Sequence, residues 1–303
     1  MAVINFASKV STQVDERFAH ESYAQHVLGN KYEFKGVKTI KVYSFPTVEM
    51  NDYKRTGANR YGNPDDLVNQ VQEMTVTKDR SWTYVIDKGD DTQNMMLHNA
   101  GKSCQRQMSE VAIPEFDTHV FKTLAQVATE NGQADATALT KTNAYGLFLD
   151  AQETLGNKRV PAKGRVAICS YKFSNLLMQD NAFVKQGNAS QEMVKTGVLG
   201  DVDGTRIIRV PAALLPTGCD FILTHPIAAV GPKQLSEYKI HTDPPGLSGW
   251  LCEGRFIYDC FVLNNKKDAI FYHGTAFSDE SDSGESGSGE SGSDEGSDEE
   301  SGT

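Results

Sequence analysis

A chain of 303 residues is long enough to bury a large core in one or two domains. Its apolar fraction of 39% is ordinary for a globular protein, and no run reaches the roughly eighteen apolar residues of a membrane-spanning helix, so no membrane partner is expected. The net charge of −10 is local: residues 279–303 hold ten of the forty acids and no Lys or Arg, so the body carries thirty acids against thirty bases, with no basic stripe for reading nucleic acid.

In chain order, residues 1–30 read as a polar arm with Val10, Val14 and Phe18 at helical spacing and no secretory pattern, which suggests a protein kept in a cytoplasm. Lys38–Pro46 and Val71–Asp87 are strand-like runs around a tip, Asn51 to about Asn69, whose Gly57, Gly62 and Pro64 predict an exposed irregular loop. The second run alternates, with Met74, Val76, Trp82, Tyr84 and Ile86 on one face. Unbroken, it would reach roughly 55 Å. The radius of gyration of a compact chain this long is only about 19 Å. A lone two-stranded ribbon is marginal in water, so this stripe is expected to find cover on another copy of the chain.

From Asn94 the period becomes helical, with Leu97, Ala100, Cys104, Met108 and Val111 on a face that Phe116, Val120, Leu124 and Val127 continue. Pro114 interrupts it and predicts a kink or restart, since a proline inside a helix costs about 3 kcal/mol. A second helix is predicted with Thr142 as N-cap, Ala144, Leu147, Phe148, Ala151 and Leu155 inward, and Gly156 as stop. The chain then turns α+β. Strands are expected at Arg165–Cys169, Arg206–Val210, Asp220–Thr224, Ile227–Val230, Glu253–Leu263 and Asp268–His273, and a short helix capped by Ser170 at Tyr171–Gln179. In Glu253–Leu263 the apolar face is Phe256, Tyr258, Cys260 and Val262, with Asp259 on the other face. The Ser/Gly/Asp/Glu tail cannot bury enough apolar surface to fold and reads as disordered.

Chemistry-bearing motifs are absent. The five cysteines (Cys104, Cys169, Cys219, Cys252 and Cys260) lack zinc spacing and read as reduced thiols. Gly200–Gly204 mimics the start of a calcium loop without its later ligands, and His241 with Asp243 lacks a third ligand, so no metal is expected. Gly246-Leu-Ser-Gly is a turn and not a nucleophile elbow, and no phosphate-binding glycine loop occurs. No catalytic residue and no cofactor are assigned.

The order of these elements resembles that of a tailed-bacteriophage major capsid protein. The local phrases that carry the resemblance are Asp79–Asp90, Val111–Asp117 and Glu237–Trp250 running on to Glu253–Lys267, and it spans residues 1 to about 276. It implies an α+β capsid fold: N-terminal arm 1–30, extended hairpin loop 31–93, spine helix and peripheral domain 94–160, axial domain 161–245, and return strands 246–278, followed by the acidic tail 279–303. It implies assembly with itself into the pentamers and hexamers of an icosahedral head. That head would enclose double-stranded DNA, contacted non-specifically. A separate scaffolding protein and a portal are implied too, with the host cytoplasm as the place of assembly and the virion capsid as the destination.

The inter-subunit contacts expected are the basic tip residues Lys54, Arg55 and Arg60 and the stripe Met74, Val76, Trp82 and Tyr84, with Pro114 as the bend of the spine helix. A cross-link from Lys54 to Asn264 or Asn265 is chemically open, since some relatives form one. The tail is expected on the outside of the shell, because ten carboxylates would be repelled by packed DNA over a screening length of about 8 Å. Two rivals remain: an encapsulin-type shell holding cargo enzymes, and a monomeric acidic-tailed chaperone or ion-binding protein.

Overall fold

The computed structural model describes residues 22–29, 32, 38–45, 47–63, 66, 68–89, 100–180, 183 and 200–275. The helical spacing at Val10–Phe18, the start of the helix near Asn94 and the acidic tail lie outside these residues.

A six-stranded sheet forms the centre, in the order β4 (Ala134–Asp135), β13 (Ile270–Gly274), β8 (Cys219–Thr224), β5 (Val166–Ser170), β7 (Thr205–Val210) and β6 (Asp201–Val202). β5 and β7 run parallel, as do β13 and β4. Every residue of β5 and β13 is buried, because helices cover both faces. On one face Val166, Ile168, Ile222, Ile270 and Tyr272 pack against Phe116, Val120 and Leu124 of a long helix. On the other, Ala167, Cys169, Phe221, Leu223 and Phe271 meet Phe148 of α3 (Ala144–Asn157) and Phe173 of α4 (Tyr171–Gln179). Successive strand residues thus supply two different cores.

Local chemistry explains several boundaries. The Ser170 hydroxyl accepts the Phe173 amide at 3.1 Å and starts α4 where expected. Asp203 and Gly204, at φ 50° and 70°, make the two-residue turn of the β6–β7 hairpin, a pairing that the Asp-Gly dipeptide favours. α3 begins at Ala144, not after a Thr142 cap: the Asn143 side chain accepts the Thr140 amide instead and rounds the entry turn. It also runs one residue past Gly156. All five cysteines are free and buried, and burial pushes the Cys169 thiol up to about 12.

The long helix passes through three segments without a break: α1 (Ala100–Gln107), a π turn (Met108–Ala112) and α2 (Ile113–Glu130). Pro114 lies in the first turn of α2, where a missing N–H costs least. The π turn absorbs the proline by widening one turn, and the helix continues. It also corrects the expected inner face: Val111 is exposed and Ala112 is buried, a slip of one residue that then carries on to Phe116 and Val120.

A second sheet, β10 (Lys233–Thr242), β11 (Gly249–Tyr258) and β3 (Lys78–Asp87), is antiparallel throughout. The Asp243–Ser248 loop joins its first two strands. There the Asp243 carboxylate accepts the Gly249 amide at 3.0 Å, a turn role and not a metal-ligating one. Gly249 sits at φ 144°, and a Cβ on it would overlap the Ile86 carbonyl oxygen. The expected strand Glu253–Leu263 is in fact two, β11 and β12 (Phe261–Val262), parted at Asp259–Cys260; β12 pairs with β9 (Ala229–Val230).

Candidate assembly surface

The two runs around the basic tip form a ribbon, but a shorter one than expected. β1 (Thr39–Ser44) pairs antiparallel with β2 (Gln70–Thr75), from Thr39 opposite Thr75 to Ser44 opposite Gln70. The Val76 amide still donates to the Lys38 carbonyl at 3.0 Å. From Lys78 onward the chain pairs with β11 instead, Lys78 opposite Tyr258 and Asp87 opposite Gly249. The run 71–87 therefore serves two sheets. Only residues up to Val76 belong to the ribbon, and the expected single 55 Å arm does not exist.

Two residues of the stripe, Met74 and Val76, are corrected on the same ground. Met74 is 1% exposed and Val76 is buried, both closed over by Val230 and Leu263 of their own chain. Trp82 and Tyr84 stack at 5.6 Å on the face of β3 that α1 covers, with Cys104 and Cys252. The Tyr84 hydroxyl lies 2.6 Å from Ser103 Oγ, and burial holds its pKa above the ordinary phenol range. A Cβ on Gly254 would overlap the Trp82 ring, so that glycine makes the seat for the indole. Met74 and Val76 are covered by their own chain, while Trp82 and Tyr84 are only partly buried by it.

The ribbon's base is anchored by side chains far away in sequence. The Gln72 amide donates to the Val262 carbonyl at 2.8 Å, while its oxygen accepts the Asn264 amide at 2.9 Å, mimicking one rung of a strand ladder. Asp259 binds Thr77 just beyond β2. Sequence reasoning missed both, and placed Asp259 on the strand face opposite Tyr258 and Cys260 by carrying alternation past the end of β11. Asp117, buried on α2, was missed too: it accepts the Ser22 hydroxyl at 2.6 Å and the Tyr23 amide at 2.7 Å, docking the end of the N-terminal arm on the long helix.

The tip is built the opposite way. Lys54, Arg55 and Arg60 are all exposed, as the loop reading expects, and Arg60 Nε donates to the Gly57 carbonyl at 3.2 Å. The Lys54 amide bonds the Arg60 carbonyl, and Tyr53 and Tyr61 meet edge to face at 5.0 Å. Exposed apolar side chains crowd this part of the chain: Tyr43, Phe45, Val48, Met50, Tyr53, Tyr61, Val68 and Val71, with Met50 fully exposed and Tyr61 85% exposed. A soluble monomer rarely leaves such a collection uncovered. The signal was in the sequence as Tyr53 and Tyr61 inside a tip read only for its glycines, proline and charges, with Phe45, Val48 and Met50 just ahead of it.

No group of three metal-ligating side chains occurs among the described residues, and no helix among them is long and apolar enough to cross a membrane. His241 stands 3.3 Å from Glu253 across the β10–β11 pair.

No protein-family model and no curated protein matches the sequence. Solved structures do match. One from Mycobacterium phage Che8 superposes at TM-score 0.68 with 17% identity, over 90% of this chain and 98% of its own. The capsid of cyanophage P-SCSP1u gives TM-score 0.72 at 13% identity, covering 90% and 94%. The mature capsid of bacteriophage PhiM1 gives 0.68 at 14%, covering 89% and 91%. The chain has the α+β fold of tailed-phage capsid proteins, as its resemblance implied. The match extends over 98%, 94% and 91% of the three partner chains.

Proposed function

We propose that many copies of this chain assemble into the icosahedral head of a tailed phage, with a structural and not an enzymatic role. The carrying observation is the ribbon tip: a loop whose base is fixed to its own chain and whose far end presents exposed Met50, Tyr53 and Tyr61 beside Lys54, Arg55 and Arg60. Covering that end on an adjacent copy removes apolar surface from water at about 25 cal/mol per Å². The basic groups add register more than affinity. Contacts of this kind are heterologous, so a finite shell forms only if they close around five-fold and six-fold positions. On this reading the six-stranded sheet acts as the axial domain, and Pro114, just past the π turn, is where the long helix bends between the two environments. A separate scaffolding protein and a portal would act in the host cytoplasm, and packaged double-stranded DNA would be contacted without sequence preference.

The test is sedimentation and negative-stain microscopy of the full chain, expressed with and without the neighbouring phage genes. Closed megadalton shells that depend on those genes and hold nucleic acid are the expected result. A monomer under every condition rejects the proposal, and a shell filled with a single enzyme replaces it with the encapsulin reading.

A further inference from the structure

Three elements meet where the ribbon leaves the body, and one carboxylate touches all of them. Asp259 Oδ2 accepts both the amide and the hydroxyl of Thr77, each at 2.9 Å. Its Oδ1 accepts the Cys260 amide at 2.8 Å and stands 2.9 Å from His119 Nε2 on α2. The carboxylate is buried, so these partners replace water. Burial alone would push its pKa up; the hydrogen bonds from His119, Thr77 and Cys260 outweigh it, and the net shift is downward.

The position of Thr77 gives this cluster its meaning. Val76 is still bonded to β1, and Lys78 is already paired with β11. Among the described residues, Val76 and Thr77 are the covalent link between β2 and β3, so their backbone angles, together with the Gln72 bonds and the Met74 packing at the ribbon's base, set the direction in which β1 and β2 point. Hinges of this kind are a few residues at element ends that absorb a change of angle. Two hydrogen bonds from one hinge residue into a buried carboxylate, itself tied to the long helix, fix those angles.

We propose that Asp259 is a positioning residue that locks the Val76–Thr77 hinge in one setting, so that the ribbon's direction is established before a neighbouring copy arrives. The inference takes its purpose from the assembly reading, but its test does not depend on assembly. A preset arm loses less conformational freedom on docking than a swinging one. The sign of the pH effect follows from the depressed carboxyl. Its contribution is complete above the ordinary aspartate value of about 3.9 and is lost as pH falls through the lower folded value. The other ionisable groups facing this site are His119, Glu115 and Lys122 from α2, Lys78 from β3, and Tyr258 and Cys260 from the strand that Asp259 follows.

The experiment uses the unassembled full chain carrying spin labels at Ala58→Cys in the tip and Glu130→Cys at the end of α2, with the distance distribution read by pulsed electron resonance. The parent is expected to give one narrow distribution. Asp259→Asn, whose amide cannot accept every bond the carboxylate does, should broaden it about twofold while the cooperative melting transition is retained. Acidification through the carboxyl's depressed folded value should broaden the parent and leave Asp259→Asn unchanged. A variant that melts earlier but keeps the parent's distribution overturns the proposal, because a merely structural role predicts that result. Should Asp259→Asn fail to fold, Thr77→Val decides: it removes only the hydroxyl bond, and an unchanged width rejects the hinge lock. Failure of the parent to form shells would sink the assembly reading alone.

Discussion

The base and the tip of the ribbon contain similar apolar residues and treat them in opposite ways. At the base, Met74 and Val76 are sealed under Val230 and Leu263, and Gln72 hydrogen-bonds a strand 190 residues away. At the tip, Met50 and Tyr61 face solvent, with little beneath them but the loop itself. The difference teaches that protrusion is not exposure. The part of an arm that must hold its aim is buried at home, and the part that must recognise a partner is left open.

The comparison can be broken first at the base. Met74→Ala should destabilise the isolated subunit by about 2–5 kcal/mol, measured by denaturant unfolding, because a fully buried side chain leaves a cavity. A loss below about 0.5 kcal/mol would mean that the base is not part of the fold. Gly254→Ala should cost about 1–3 kcal/mol, since the added methyl displaces the Trp82 indole from its seat, and the same unfolding measurement reads it.

The tip should respond differently. Met50→Ser combined with Tyr61→Ser is expected to move the unfolding midpoint by no more than about 0.5 kcal/mol and yet to remove most of the particle yield in sedimentation. An equal yield of shells would dissolve the contrast between the two ends. The smallest effect is expected from charge. Arg55→Glu with Arg60→Glu should leave the subunit folded and lower assembly by an amount that shrinks as salt rises, because exposed pairs are screened. Normal yield at low salt rejects a role for these two residues.

Much of the fold was legible where local rules act alone. Ser170 capped α4 where the sequence places it, Pro211 follows the end of β7, and the apolar runs of β5 and β8 marked strands buried on both faces. Legibility failed where a distant contact decides. Nothing local breaks the chain between Val76 and Lys78; β3 changes sheet because β11 and Asp259 take hold of it. The charged stretch Lys78-Asp79-Arg80, interrupting the apolar alternation, was the available hint. Asp259 was misplaced because strict alternation holds only while a strand lasts, and β11 ends at Tyr258. The assembly surface was half legible: the basic tip was found, but its aromatic neighbours were passed over because glycines and a proline marked the segment as a loop.

The π turn has a consequence for how the long helix is used. An extra residue rotates everything beyond it by about 100° relative to everything before it. The helix offers Cys104 to the three-stranded sheet before the turn; past it, Phe116 meets Phe256 and Tyr258 of that same sheet while Val120 and Leu124 pack with the six-stranded one. It works as a coupling shaft cut with two offset keyways. Deleting a single residue between Met108 and Ala112 would turn Val120 and Leu124 off the six-stranded sheet if Cys104 kept its seat, or unseat Cys104 if they stayed.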